Sequence, residues 1–125
     1  MNQGQDPLTH QIIGCAIEVH KELGPGLLES IYQEALAIEF QLQGIQFHKE
    51  LELPVSYKGY PLGAQYRLDF MVSNEIIIEL KAVEATLPIH HAQLLTYMKL
   101  TNKPKGLLIN FNVPVLSKGI KRFAL

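Results

Sequence analysis

Apolar residues recur at helical spacing through the first third of the chain and at every second position through the middle, and this change of period divides it into elements. Asp6-Pro7 opens a helix, with a capping oxygen followed by a proline at the first helical position. Its apolar stripe is Leu8, Ile12, Cys15 or Ala16, Val19 and Leu23. Gly24-Pro25-Gly26 breaks it, and a second helix follows from about Leu28, with Ile31, Ala35, Ile38 and Leu42 on its apolar side and Gly44 at its end. From Gln46 the period is two: Leu51, Leu53, Val55 and Tyr57 alternate with Glu50, Glu52 and Ser56, as in a strand. Lys58-Gly59 and Leu62-Gly63 mark turns. Tyr66, Leu68, Phe70 and Val72 form a second strand, and Ser73-Asn74 turns the chain into a third, Glu75 to Lys81. Pro88 starts a helix from about Ile89 to Leu100, which Asn102-Lys103-Pro104 ends. The unbroken apolar run Gly106 to Phe111 suits a strand buried on both faces, and Gly119 to Ala124 supplies an edge strand or a cap.

The order is helix, helix, three strands, helix, strand, which predicts a single α/β domain over residues 1–125 with a mixed central sheet flanked by helices. Residues 1–5 are polar and read as a frayed tail. A chain of 125 residues holds one core, and 47% hydrophobic with 18% charged residues excludes disorder. The formal charge of −1 gives no global attraction to nucleic acid, so any phosphate binding has to come from a local patch. The single Cys15 excludes an internal disulfide and a thiolate zinc cluster. No signal peptide and no apolar run of membrane-spanning length is evident, so the expected setting is cytoplasmic. Gly24-Pro25-Gly26 lacks the following Lys-Ser/Thr of a phosphate loop, and no nucleotide cofactor is expected.

The candidate chemistry sits on two strands: Asp69 in Tyr66-Arg67-Leu68-Asp69-Phe70, and Glu79 with Lys81 in Ile77-Ile78-Glu79-Leu80-Lys81. Strand alternation points Glu79 and Lys81 to one face and Ile76, Ile78 and Leu80 to the other. A carboxylate and an ammonium inside so apolar a strand are costly unless something uses them. Directly opposed carboxylates on adjacent antiparallel strands suit a shared hard cation, and a neighbouring ammonium can hold a nucleophilic water or a phosphate. The plainer alternative for Asp69 is a solvent-facing residue paired with Arg67, and for Lys81 a surface lysine shielding a strand edge.

This arrangement resembles the core of the PD-(D/E)XK nuclease superfamily, in which an Asp precedes Glu-x-Lys by a hairpin's length. Gly26-Leu27-Leu28-Glu29-Ser30-Ile31-Tyr32 is similar to the GxxExxY signature of a small prokaryotic family within it, and Tyr66 to Phe70, Ile78 to Ala82, Ala92 to Tyr97 and Gly106 to Pro114 follow in that family's order. The resemblance runs from about Ile12 to the C-terminus and implies the restriction-endonuclease-like αβββαβ core. It implies a Mg²⁺- or Mn²⁺-dependent phosphodiesterase acting on nucleic acid, most of all DNA. Asp69, Glu79 and the Leu80 backbone carbonyl would ligate the metal, with Glu29 as an outer or additional ligand. Lys81 would orient the attacking water. Gln93, on the face it shares with Tyr97, is similar to the glutamine of a Gln-x-x-x-Tyr pattern that follows the catalytic lysine in several branches. His90 and His91 at the start of that helix, and Arg67, are candidates for touching substrate phosphate. A homodimer placing two sites on one substrate fits so short a chain, with the last strand or the first helix as the contact. The alternative is a catalytically silent nucleic-acid-binding or protein-interaction module on the same fold.

Overall fold

The structure, a computed structural model, describes residues 6–125, the Ala64 side chain excepted. Residues 1–5, read above as a tail, lie outside the described residues. Helix α1 spans Pro7–Leu23, and its N-cap Asp6 accepts from the Thr9 amide at 3.1 Å. Gly24 (φ 69°) and Gly26 (φ 94°) take the left-handed backbone that the sharp turn into α2, Glu29–Leu42, requires. Tyr32 fastens that turn. Its hydroxyl donates to the Gly24 carbonyl at 2.6 Å and accepts from the Leu27 amide at 3.2 Å, and its buried ring stacks on Phe111 with centroids 4.5 Å apart.

α2 presents the opposite phase from the one its apolar spacing suggests. Tyr32, Leu36, Ala37 and Phe40 are buried, whereas Ile38 and Leu42 are 57% and 73% exposed and Ile31 also faces solvent. Both stripes have helical spacing; the aromatic one wins because two fully buried rings remove more apolar area from water than the aliphatic stripe would.

Strands β1 (Phe47–Tyr57), β2 (Tyr60–Val72), β3 (Ile76–Lys81), β4 (Lys105–Asn110) and β5 (Ile120–Ala124) form one sheet in that spatial order among the described residues. β3 and β4 are parallel, joined by helix α3 (Pro88–Thr101); the other neighbours are antiparallel. The αβββαβ order is present in a single mixed-sheet domain, and Ile120–Ala124 adds an edge strand. β2 is longer than expected. Leu62-Gly63 is not a turn but part of a bulge, where the register shifts between the Pro54–Gln65 and Ser56–Pro61 pairs. The true turn is Lys58-Gly59, both at positive φ, the two-residue geometry that matches strand twist.

Two cores sandwich the sheet. Phe40, Phe70, Val72, Ile76, Ile78, Leu80, Ile109 and Phe111 pack under α1 and α2, and Leu68, Met71, Ile77 and Leu108 pack with Leu94, Tyr97 and Met98 of α3. Leu68 and Phe70, expected on one face, therefore lie on opposite ones. The alternation breaks at Asp69, beside the left-handed Glu50 (φ 56°) of β1. At the far end of the sheet, Gly119 packs so closely that a Cβ there would overlap the backbone carbonyl oxygen of Asn110. Gly119→Ala is expected to cost about 3 kcal/mol or more, because backbone cannot yield as a side-chain tip can; a urea denaturation midpoint equal to wild type's would contradict this.

Candidate active site

The site lies where β2 and β3 part. Their pairing runs Val72–Ile76, Met71–Ile77 and Phe70–Ile78 and ends there. The next pair in register is Asp69 opposite Glu79. Instead of ladder bonds, each carboxylate takes a backbone amide of this break: Asp69 Oδ2 accepts from the Leu80 amide at 2.8 Å, and Glu79 Oε1 accepts from the Asp69 amide at 3.0 Å. Asp69 Oδ1 accepts from Gln33 Nε2 at 3.0 Å. The Leu80 amide points toward β2, and its carbonyl projects to the same side, since both backbone groups of a strand residue face one neighbour.

The electrostatics are those of crowded negative charge. Glu79 is 6% exposed, and burial first, then the Asp69 carboxylate, pushes its pKa up to about 8. Asp69 is also raised, by burial, against the opposing pull of the Leu80 amide and the Lys81 charge. Glu29 of α2 is raised by burial, with Lys81 lowering it and Asp69 raising it further. Lys81, half-buried at the end of β3, is thus the cation that Glu29, Asp69 and Glu79 all feel, yet its ammonium pairs with none of them within 4 Å.

The remaining candidates divide. His90 belongs to this side: loss of water, then the Lys81 and His91 charges, hold its imidazole below the usual range, and its Nδ1 accepts from the Leu87 amide at 3.0 Å. His91 turns away, with Nε2 3.3 Å from Thr86 Oγ1 and its ring 5.5 Å from that of Phe123. Gln93 is half-buried on α3, four residues before Tyr97. Tyr97 packs its ring 5.2 Å from Tyr66, and burial with Glu79 nearby pushes its hydroxyl up to about 12, so it stays protonated. Arg67 is drawn off to an exposed pair with Glu52 at 3.4 Å. Gln33 is the site residue that sequence reasoning missed; its one signal is the i+4 step from Glu29, which sets both on one face of α2.

These groups fit a divalent cation. Burial raises both carboxyls and the Asp69 charge raises Glu79 further, and a cation between them removes that cost. Among the described residues no three carboxylate, imidazole or thiolate groups converge to hold a metal unaided. Asp69, Glu79 and a backbone carbonyl with waters nevertheless suffice for magnesium, which needs one or two carboxylates beside substrate phosphate. A cavity of about 440 Å³ between α1 and α2 offers no rival chemistry, since burial pushes its Cys15 thiol up to about 11.

The fold is thus a mixed sheet between helices that brings an opposed Asp and Glu and a following Lys to one strand break. The sequence profile of the PD-(D/E)XK nuclease superfamily matches residues 6–123, and the chain belongs to that superfamily. Among solved structures, the crystal structure of SSO0001 is similar at 21% identity and a TM-score of 0.45, over 97% of this chain and 78% of that one. No curated protein matches the chain.

Proposed function

We propose that the protein is a divalent-metal-dependent nuclease that hydrolyses phosphodiester bonds, with DNA as its polymer. The observation that carries this reading is the register placing Asp69 against Glu79 at the strand break, with Lys81 two residues on. Asp69, Glu79 and the Leu80 carbonyl would hold Mg²⁺ or Mn²⁺, with Glu29 behind them. The bound ion supplies Lewis-acid polarisation of a phosphoryl oxygen and a more acidic water. Lys81, unpaired in the ground state, orients that water and meets the charge that develops on phosphate. Gln33 holds Asp69 in its rotamer. Gln93 and His90 face the incoming phosphate from α3, and His91 and Arg67 contribute from further out. Gly26, Glu29 and Tyr32 support placement in the GxxExxY branch, because Tyr32 fixes the turn that delivers Glu29. A homodimer in the cytoplasm, where the Cys15 thiol stays reduced, completes the reading.

The test is cleavage of linear, circular and branched DNA and of RNA, with Mg²⁺ or Mn²⁺ and with chelator. Metal-dependent cutting of DNA is the expected result. Absence of cutting on every substrate, together with no Mn²⁺ binding by calorimetry, would sink the proposal in favour of a silent binding module.

A further inference from the structure

The β1–β2 hairpin runs on well past the point where β2 leaves β3. Leu51 and Leu53 pack on the α3 core, and strand alternation carries the same face outward to Val55 and Tyr57. Tyr57 pairs directly with Tyr60 across the Lys58-Gly59 turn, and the two are 61% and 74% exposed. At the inner end of the arm, Tyr66 lies against Tyr97, which itself feels Glu79 and Asp69. The arm is therefore a tyrosine-bearing ribbon that begins at the carboxylates and ends in solvent. Residues 53–66 contain none of the chain's 12 acidic residues, and their single charge is Lys58, whose Nζ lies 5.4 Å from the Tyr57 ring centroid.

From this placement we propose, resting on the nuclease reading, that the arm is a stacking platform for single-stranded nucleic acid leading into the site. An acid-free arm does not repel phosphate, but with one lysine and a net charge of −1 on the chain it cannot bind a duplex through its backbone. Exposed rings instead offer faces for unpaired bases, which a duplex hides within its own stack. Binding is then driven by bases more than by phosphates, and its salt dependence is shallow.

The test is fluorescence anisotropy in chelator, where no turnover occurs, with labelled oligodeoxyuridylate and oligouridylate about 20 nucleotides long, longer than the usual footprint of one stacking groove. A DNA duplex of the same length is the competitor. Either single strand is expected to bind at least tenfold more tightly than duplex, and the ratio between the two names the preferred sugar. The double variant Tyr57→Ala/Tyr60→Ala should weaken binding about tenfold or more, while Tyr57→Phe/Tyr60→Phe, which keeps both rings, should match wild type. Because the chain has no Trp, quenching of its tyrosine emission gives a second readout. Wild-type affinity in the alanine variant, equal affinity for duplex, or no binding at all would overturn the proposal; the first of these leaves the arm to a protein partner. Oligonucleotide binding without metal-dependent cutting would remove the nuclease reading alone, and cutting with an unchanged KM in the alanine variant would remove the platform alone.

Discussion

Lys81→Ala is expected to lower the rate of metal-dependent cleavage by about a thousandfold, the usual scale for a group that places a proton or stabilises transition-state charge. The stability of the fold should hardly change. Lys81 is half-buried and its ammonium makes no hydrogen bond or ion pair with the described residues, so truncating the side chain leaves no hydrogen-bond partner orphaned. Asp69→Asn should lose comparable activity for a different reason. The amide oxygen can still accept from the Leu80 amide, but the charge that would hold the cation is gone. Asp69→Ala is the poorer experiment, because it strips the Leu80 amide and Gln33 of an acceptor and costs about 1–3 kcal/mol through unmet polar groups. Single-turnover rates, beside circular dichroism and melting temperature, separate the two effects. Wild-type rates in Lys81→Ala and Asp69→Asn would place the reaction elsewhere in the molecule.

A second large effect concerns stability without metal. Glu79 carries a folded pKa of about 8 against 4.5 for the free group, raised by burial and then by Asp69. A raised carboxyl favours the fold while it stays protonated, so its contribution is full below about pH 4.5 and is lost as pH climbs through about 8. In chelator the melting temperature of the wild type should fall across that window. Asp69 deepens the fall, since the two carboxyls titrate as a pair. Glu79→Gln keeps an acceptor for the Asp69 amide but cannot ionise. At pH 8 in chelator it should melt about 5 °C above wild type, a shift of the order of 1 kcal/mol for a domain of this size. Mn²⁺ should raise the wild-type melting temperature at pH 8 and leave that of Glu79→Gln nearly unmoved. Parallel pH profiles for the two proteins in chelator would contradict the crowded-charge description of the site.

The sequence reveals most of what positions the site. Asp6-Pro7, Gly24 and Gly26, Ser73-Asn74 and Pro88 punctuate the chain by local chemistry, so the elements between them stand close to where their periodicity places them. The opposition of Asp69 to Glu79 is legible because the tight turn at Ser73-Asn74 sets the register of the two strands, and a period of two along β3 then sets Lys81 beside Glu79. Three features depend on distant partners and are hidden. α2 carries two apolar stripes, and the distant rings that receive Tyr32 and Phe40, those of Phe111, Phe47 and Phe70, select between them. The change of face at Asp69 falls beside a left-handed Glu50 on the neighbouring strand, which no pattern within β2 announces. Gln33 matters only once α2 has docked over the strand break.

Two amides at the strand break, those of Leu80 and Asp69, are bonded to side chains instead of to the ladder. In most sheets the protons of Leu80 and Asp69 would point at carbonyl oxygens, whose charge is fixed; here they point at carboxylates, whose charge is not. Any event that changes the ionisation or the electron density of Asp69 or Glu79 is therefore written directly onto the backbone, one bond away. The two amide resonances form a built-in gauge of the pair, legible in a protein holding no substrate and turning nothing over. The strand break that turns these amides away from the ladder thus also makes the state of the acids visible from the main chain.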